Sequence, residues 1–389
     1  MSRYTADEEE AIRTADQLRD WRASGLIDVN RAAVLEQELL TDFRRTHRAL
    51  RAVLFLFSAV VIQAAVGLVA VIVTPDEEAV VATLALIAGL ASIALADVLI
   101  ARFRFYRFGV EEACVVCGVA LLAGGVTLFA SIAGARGDTL PLIACAAIAL
   151  IAAAAYWRFG LLYCAVAAVA AAALAPFFLE LPEMHGRVLA AAVLLAIHAG
   201  SGVLRRPVGE DYPGDDYGAI EAIAWLGTYA VLNLELTQLV AGQRFDVSPG
   251  FFWFTYVAIW LLPVIGLYRG IQQKHHWMIR ASLLMTLATI ATNKLYLGWP
   301  QHTWDPILLG IVLIATALGL RRWLSRGAGG QRHGFTPRRL LSSEERLMAH
   351  AAMVAAALKP EQTVQGTATT EAGQFSGGRS GGAGAGGTF

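Results

Sequence analysis

The stretch "ARFRFYRFGVEEACVVCGVALLAGGVTLFASIA", residues 101–133, carries three arginines and four aromatic rings in its first nine positions. An almost uninterrupted apolar run follows. Arginine and aromatic side chains favour the headgroup layer of a bilayer, whereas about 20 apolar residues in helical form cross its hydrocarbon core. The composition of the whole chain agrees. Of 389 residues, 57% are hydrophobic and 16% charged, against roughly 25% charged in an ordinary soluble protein. Comparable windows lie near 52–73, 79–100, 112–133, 139–155, 160–179, 187–204, 219–240, 250–268, 277–295 and 304–324. Inside lipid the backbone must satisfy its own hydrogen bonds, so these windows are predicted to be helices. The expected fold class is all-α, a polytopic transmembrane helical bundle of about ten spans by that length rule.

Arg and Lys are retained on the cytoplasmic side, and short loops report this most clearly. Arg102, Arg104 and Arg107, then Arg158, then Arg205 and Arg206, then Arg269 and Lys274 fall in alternate loops. The loops between carry at most one basic residue each: Arg136, Arg187, Arg244, Lys294. This parity puts both termini in the cytoplasm, in what is expected to be a bacterial inner membrane. "FYRFGVEEACVV" (105–116) is echoed by "YWRFGLLYCAV" (156–166) and more loosely by "DYGAIEAIAW" (216–225). Two explanations stand. The same lipid boundary was met three times, with Gly allowing a tight turn, or an ancestral helical hairpin was duplicated.

Residues 1–50 read as a cytoplasmic helical hairpin and residues 51–325 as the bundle. Thr5 and Glu8 fit a capping box. Ile12, Ala15 and Leu18 fall on one face, Gly25 ends the first helix, and Asp28 caps the second. That second helix turns Leu35, Leu39 and Phe43 inward and runs on through "FRRTHRALR" toward the first span. "LRDWRASGLIDVNRAAVLEQEL" (18–39), through Leu18, Trp21, Gly25, Leu26 and Ile27, resembles the opening of a family of predicted bacterial multi-pass membrane proteins of unknown function. The resemblance implies a helix–Gly-Leu-Ile–helix hairpin followed by many spans. It brings no activity, cofactor or catalytic residue. The hairpin is an expected docking point for a cytoplasmic protein. Residues 326–359 read as a basic linker with a short helix capped by Ser342, and 360–389 as a disordered Gly-rich tail.

The seventh window, "AIEAIAWLGTYAVLNLELTQLV" (219–240), holds most of the intramembrane polarity. Glu221, Thr228 and Glu235 are seven apart and share a helical face; Gln238 lies one turn beyond Glu235, and Asn233 points elsewhere. A charge in mid-span costs ~2.5–3.5 kcal/mol, less near the ends, so Glu235 requires a partner, a proton or water. Lys294, at a compatible depth, is the expected partner. His198, in "LLAIHAGSGVL" and beside Gly200 and Gly202, is expected either to bond a neighbouring carbonyl or to relay protons with Glu235. Glu235, Gln238, Thr228, His198 and Lys294 therefore form the candidate polar site for a small solute or ion. A structural ion pair is the bland alternative.

Cys114 and Cys117 make a CxxC on one helix, with Cys145 and Cys164 alone; buried inert thiols are expected, with no metal and no cofactor. Glu111 and Glu112 are expected to complement a helix start and nearby arginines, Asp97 to lie near Arg102 and Arg104, and His275–His276 to sit in a solvated loop. His302 and Asp305, in the aromatic belt "WPQHTWDP", could line a vestibule. No Walker loop and no HExxH is present, and the net charge of +0 offers nothing to nucleic acid. The Ala-rich fourth and fifth windows are expected to form the tight centre of the bundle, and Pro176 and Pro263 to kink their helices. Three functions fit: a carrier or channel, a membrane scaffold or signalling module, and, last, an intramembrane enzyme.

Overall fold

A computed structural model describes residues 6–39, 41–73, 77–205, 212–241, 247–299, 302 and 304–327. The expectations for Thr5, for loop residues 74–76, Arg206 and Arg244, for Ser342 and its helix, and for the tail 360–389 lie outside these residues. Among the described residues every regular element is helical and there is no strand. The helices are α1 (Ala6–Ala23), α2 (Val29–Glu38), α3 (Arg48–Val73), α4 (Glu78–Phe103), α5 (Val110–Ile132), α6 (Thr139–Phe159) and α7 (Leu162–Leu174). A 3-10 turn at Ala175–Phe178 leads to α8 (Glu183–Arg205), α9 (Tyr212–Leu232), α10 (Leu234–Ala241), α11 (Pro249–Gln272), α12 (His276–Tyr296) and α13 (Asp305–Ser325). Each apolar window falls on one of these helices or on an adjoining pair. Six helices, α3, α4, α5, α6, α8 and α11, are long and apolar enough to cross a membrane, which is compatible with an integral membrane protein. Helix α3 turns Leu56, Phe57, Leu68, Val71 and Ile72 outward. Water would oppose such a surface at roughly 25 cal/mol per Å², and hydrocarbon would not.

Helices α4 and α5 make the most extensive pairing, and glycine is the reason. A Cβ at Gly118 would lie 2.6 Å from Ile93 Cγ1 and 3.0 Å from the Gly89 carbonyl oxygen. One at Gly89 would lie 2.7 Å from Leu122 Cγ. Ala82, Gly89 and Ala96 recur every seven residues against Gly118 and Gly125, a spacing that keeps small residues facing one partner. The tightest contact thus lies one pair earlier than expected. Of the alanines of α6 and α7, some are buried, Ala152, Ala155, Ala165 and Ala171 among them, and others, such as Ala153 and Ala154, are exposed.

The three glycines of the repeated phrase do three different things. Gly109, at φ +110°, precedes α5 and packs on the α3 backbone at Arg51; Gly160, at φ +66°, ends α6. Gly218 lies inside α9, where its missing side chain makes room for His275. The tight-turn role expected of the glycine holds for Gly109 and Gly160 and not for Gly218.

In the hairpin, Ile12, Ala15 and Leu18 are buried and Gly25 adopts φ +71° between α1 and α2. The Asp28 side chain accepts from the Asn30 amide at 3.2 Å. Two expectations fail. Leu35 is 42% exposed, not inward. Nor does α2 continue into α3: at Arg44 the chain is extended, its amide donating to the Arg104 carbonyl at 2.8 Å and its carbonyl accepting from the Tyr106 amide at 3.2 Å. That pairing, with Phe43 packed on Tyr106, fixes a break between the helices. Arg13 bridges Glu9 at 2.7 Å and Asp216 of α9 at 3.2 Å, so the hairpin is tied to the helices beneath it.

Candidate functional site

The apolar run of the seventh window breaks at Asn233, and the break follows from the residue. Asparagine is among the best helix N-caps, and its Oδ1 accepts from the Leu236 amide at 3.0 Å, starting α10. The Leu234 amide leaves the helical ladder and donates to the Tyr296 hydroxyl at 2.7 Å. The carbonyls just before the break are also taken up. Val231 accepts from Arg187 Nη1 at 2.9 Å, Ala230 from the Thr237 hydroxyl at 3.3 Å and Leu232 from the Tyr296 hydroxyl at 3.4 Å. Buried backbone groups are almost always paired, and here side chains do the pairing.

Arg187 is 0% exposed, although the loop-charge argument counts it as a boundary residue. It lies on α8, one turn from Glu183, which it binds at 2.9 Å. That i, i+4 spacing is readable in "EMHGR", but the arginine's burial against a helix break is not.

A second discontinuity lies on α11. Pro263 has no N–H, so the carbonyl of Ile259 lacks its helical donor; the Thr289 hydroxyl of α12 is 2.8 Å from it and shares its one proton with the Met285 carbonyl of its own helix, 2.9 Å away. Helix α11 continues through the proline, whereas Pro176 coincides with the passage of α7 into the 3-10 turn. The two discontinuities are joined. Asn233 Nδ2 donates to the Tyr229 hydroxyl at 2.9 Å, and that hydroxyl lies 2.9 Å from Thr289 Oγ1. Asn233 also donates to Thr292 at 3.1 Å. A buried line of polar groups thus runs from the α9–α10 break across α12 to α11.

The second cluster lies at the opposite end of α9. Glu221, 6% exposed, receives Arg205 Nη1 at 3.1 Å on Oε2. His198 Nε2 is 3.9 Å from Oε1, and His275 Nε2 is 3.9 Å from Oε2. The carboxylate sits over Gly202, where a Cβ would be 3.6 Å from Oε1. His198 Nδ1 is 3.0 Å from the Glu221 carbonyl oxygen, its ring lies 4.9 Å from that of Trp225, and Arg269 Nη1 is 3.4 Å from its Nε2. His275 is 7% exposed and caps α12, accepting from the Met278 amide at 3.1 Å, so the solvated-loop expectation fails for it. Its burial, with Arg205 beside it, pushes the imidazole pKa below its ordinary value; Glu221 opposes that shift and His276 adds to it.

The sequence-derived candidates therefore separate. His198 meets Glu221, not Glu235. The two glutamates are 14 residues apart, about 21 Å along a helix axis, with the break between them, so the His198–Glu235 relay does not form. The carbonyl contact expected as the alternative for His198 is present. Thr228 is buried and donates to its own helix at Ala224, 2.9 Å away. Glu235 and Gln238 lie half-buried on α10. Lys294, foreseen as the partner of Glu235, is 2.6 Å from Asp305 and stacks over Trp304 at 5.5 Å. Elsewhere, Asp97, expected to lie near Arg102 and Arg104, pairs with Arg158 at 2.7 Å, and Glu112 binds Arg51 of α3. Glu111 accepts from the Phe108 amide at 2.6 Å. The four cysteines are free and buried. Among the described residues no three His, Cys, Asp or Glu side chains converge as a metal site requires.

Comparisons with family models, with curated proteins and with solved structures find no match to this chain, so the family that residues 18–39 resemble gains no support from them.

Proposed function

We propose that the chain is a carrier or channel for a small solute or ion, crossing the bacterial inner membrane about ten times with both termini cytoplasmic. The observation that carries this reading is the pair of helix discontinuities, at Asn233 and Pro263, linked through Tyr229 and Thr289. Broken helices held by side chains are where transporters bind and where they bend. Glu235 opens α10 and with Gln238 faces the outer half of the bundle. The Glu221 cluster lies at the cytoplasmic end. In this reading α9 and α10, on either side of the Asn233 break, supply the two gates of one path.

The test is flux. The full chain is reconstituted into vesicles carrying a luminal pH dye and given a pH gradient in the presence of panels of small solutes. Flux above empty vesicles, lost in Glu235→Gln with folding intact, supports the reading. Flux equal in wild type and Glu235→Gln removes Glu235 from the path.

The alternative is a scaffold or signalling module. It is favoured by the exposed apolar residues of the hairpin, Leu26, Val29 and Val34, a surface suited to a cytoplasmic protein partner. It also draws on the internal hydrogen bonding of the α9–α12 line, which such a protein would keep for rigidity. No solute-dependent flux in any condition, together with saturable binding of a cytoplasmic protein to the hairpin, favours the scaffold.

A further inference from the structure

The proton positions of the Glu221 cluster follow from donor chemistry. A carbonyl oxygen only accepts, so the contact from His198 Nδ1 to the Glu221 carbonyl at 3.0 Å puts a hydrogen on Nδ1. Arginine only donates, so the approach of Arg269 Nη1 to His198 Nε2 at 3.4 Å leaves Nε2 without a hydrogen, its lone pair accepting that contact. His275 is the opposite tautomer: its Nδ1 accepts the Met278 amide, so its hydrogen is on Nε2, directed toward Glu221. His275 cannot take a second proton without giving up its cap on α12. His198 can, and only Arg269 stands in the way.

We infer that the ion coupled at this site is the proton, bound at His198 Nε2 in exchange for Arg269. Protonation adds an N–H to Nε2. The guanidinium, which cannot accept, loses its contact and is repelled. The new imidazolium turns that donor toward Glu221 Oε1, 3.9 Å away. Loading one proton therefore uncouples the cytoplasmic end of α11 from α8 and tightens α8 on α9. Arg269 is exposed, so water reaches the edge of the site.

Among the described residues, the charged and titratable groups around His198 are few. Glu221 comes from α9, Arg205 from α8 itself, Arg269 from α11 and His275 from the start of α12. His276 lies behind His275 at 6.3 Å between rings, and Asp216, further back on α9, is held by Arg13. Helix α7 brings Ala165 and Val169 to the same packing.

The inference deepens the carrier reading and rests on it for its purpose, but it is tested without transport. Full-length protein labelled with 15N-histidine is placed in lipid nanodiscs, and the His198 signal is assigned by its loss in His198→Gln. Between pH 8 and pH 5 the ring should pass from the Nδ1–H neutral tautomer to the imidazolium. Glu221→Gln should lower the midpoint by a unit or more, a tenfold weaker hold on the proton. Arg269→Gln, an exposed and structurally mild change, should raise it, and it gives the answer alone if Glu221→Gln does not fold. A ring that stays neutral to pH 5 in both wild type and Arg269→Gln overturns the proposal, as does a midpoint that Arg269→Gln leaves in place or lowers. An intact titration with no flux removes the carrier reading alone.

Discussion

Two helix seams in this chain are solved with opposite chemistry. Between α4 and α5 the buried layer is Ala82, Gly89, Ala96, Gly118 and Gly125: side chains are absent and backbones nearly touch. Between α9 and α12 it is Tyr229, Asn233, Thr289, Thr292 and Tyr296, and side chains carry hydrogen bonds that the helices have given up. In the first region charged groups stay at the helix ends, as Glu112 does with Arg51. In the second they bond to one another and to the freed backbone, as Arg187 does at Val231 and Glu221 does with Arg205. A glycine seam maximises close contact and permits few alternatives. A polar seam with one broken helix, and one proline-interrupted hydrogen-bond ladder, can exchange partners, because the carbonyls it satisfies have lost their helical donors. Packing by small residues and packing by side-chain hydrogen bonds are thus divided between the two halves of the described chain.

That division can be broken by substitution. The largest loss is expected from Arg51→Met, which leaves the buried Glu112 carboxylate without its cation. Removing one partner of a fully buried ion pair costs about 3–5 kcal/mol; Arg51 is 32% exposed, so the loss falls at the lower end of that range, to be read as a fall in unfolding midpoint. Gly118→Leu should follow. It forces a side chain into the Ile93 contact at a cost of ~1–3 kcal/mol or more, and should leave the His198 titration where it was. An unchanged midpoint in Gly118→Leu would mean that the seam is looser than its distances imply.

Asn233→Leu is expected to be smaller in stability and larger in function. It removes a helix cap worth ~1 kcal/mol and the link to Tyr229, and should depress flux well beyond its effect on unfolding. Thr289→Val leaves the Ile259 carbonyl unpaired at about 1–3 kcal/mol; its coupling with Asn233→Leu in a double-mutant cycle should be non-additive, since both lie on one hydrogen-bonded line. Additive effects would dissolve that line into two unrelated repairs.

The smallest effect is in pH. The folded-state pKa of His275 is depressed, chiefly by burial. The unfolded chain therefore binds more protons as pH falls through the ordinary histidine value of about 6.5. The stability this neutral ring supplies is present above that value and is lost as pH falls from it toward the depressed one. His275→Asn, which keeps a capping acceptor and does not titrate, should flatten the dependence measured between pH 8 and pH 5.

Much of the helical content was legible because apolar length alone announces it. The Ile12, Ala15 and Leu18 face was legible through its period. The site was legible only in its residue types. Glu221 and His198 are recognisable as unusual, but their meeting depends on α8 and α9 running antiparallel in one particular register. Asn233 carried a usable signal, a strong N-cap residue in the middle of an apolar run, and the seven-residue spacing of Glu221, Thr228 and Glu235 hid it by assuming an unbroken helix. His275 looked solvated because two adjacent histidines beside a lysine are polar by composition. Its burial comes from Gly218, 57 positions earlier, which leaves room for the ring.

The orientation of α9 underlies every functional statement made for the second region. The direct measurement is labelling of single cysteines, Glu77→Cys and Gln273→Cys, in a background without the native thiols, using a membrane-impermeant maleimide on intact cells and on inverted vesicles. The account predicts that position 77 reacts only from outside and position 273 only in inverted vesicles. Reaction of both from the same side would contradict it, and the Glu221 cluster would no longer lie at the cytoplasmic end of a path.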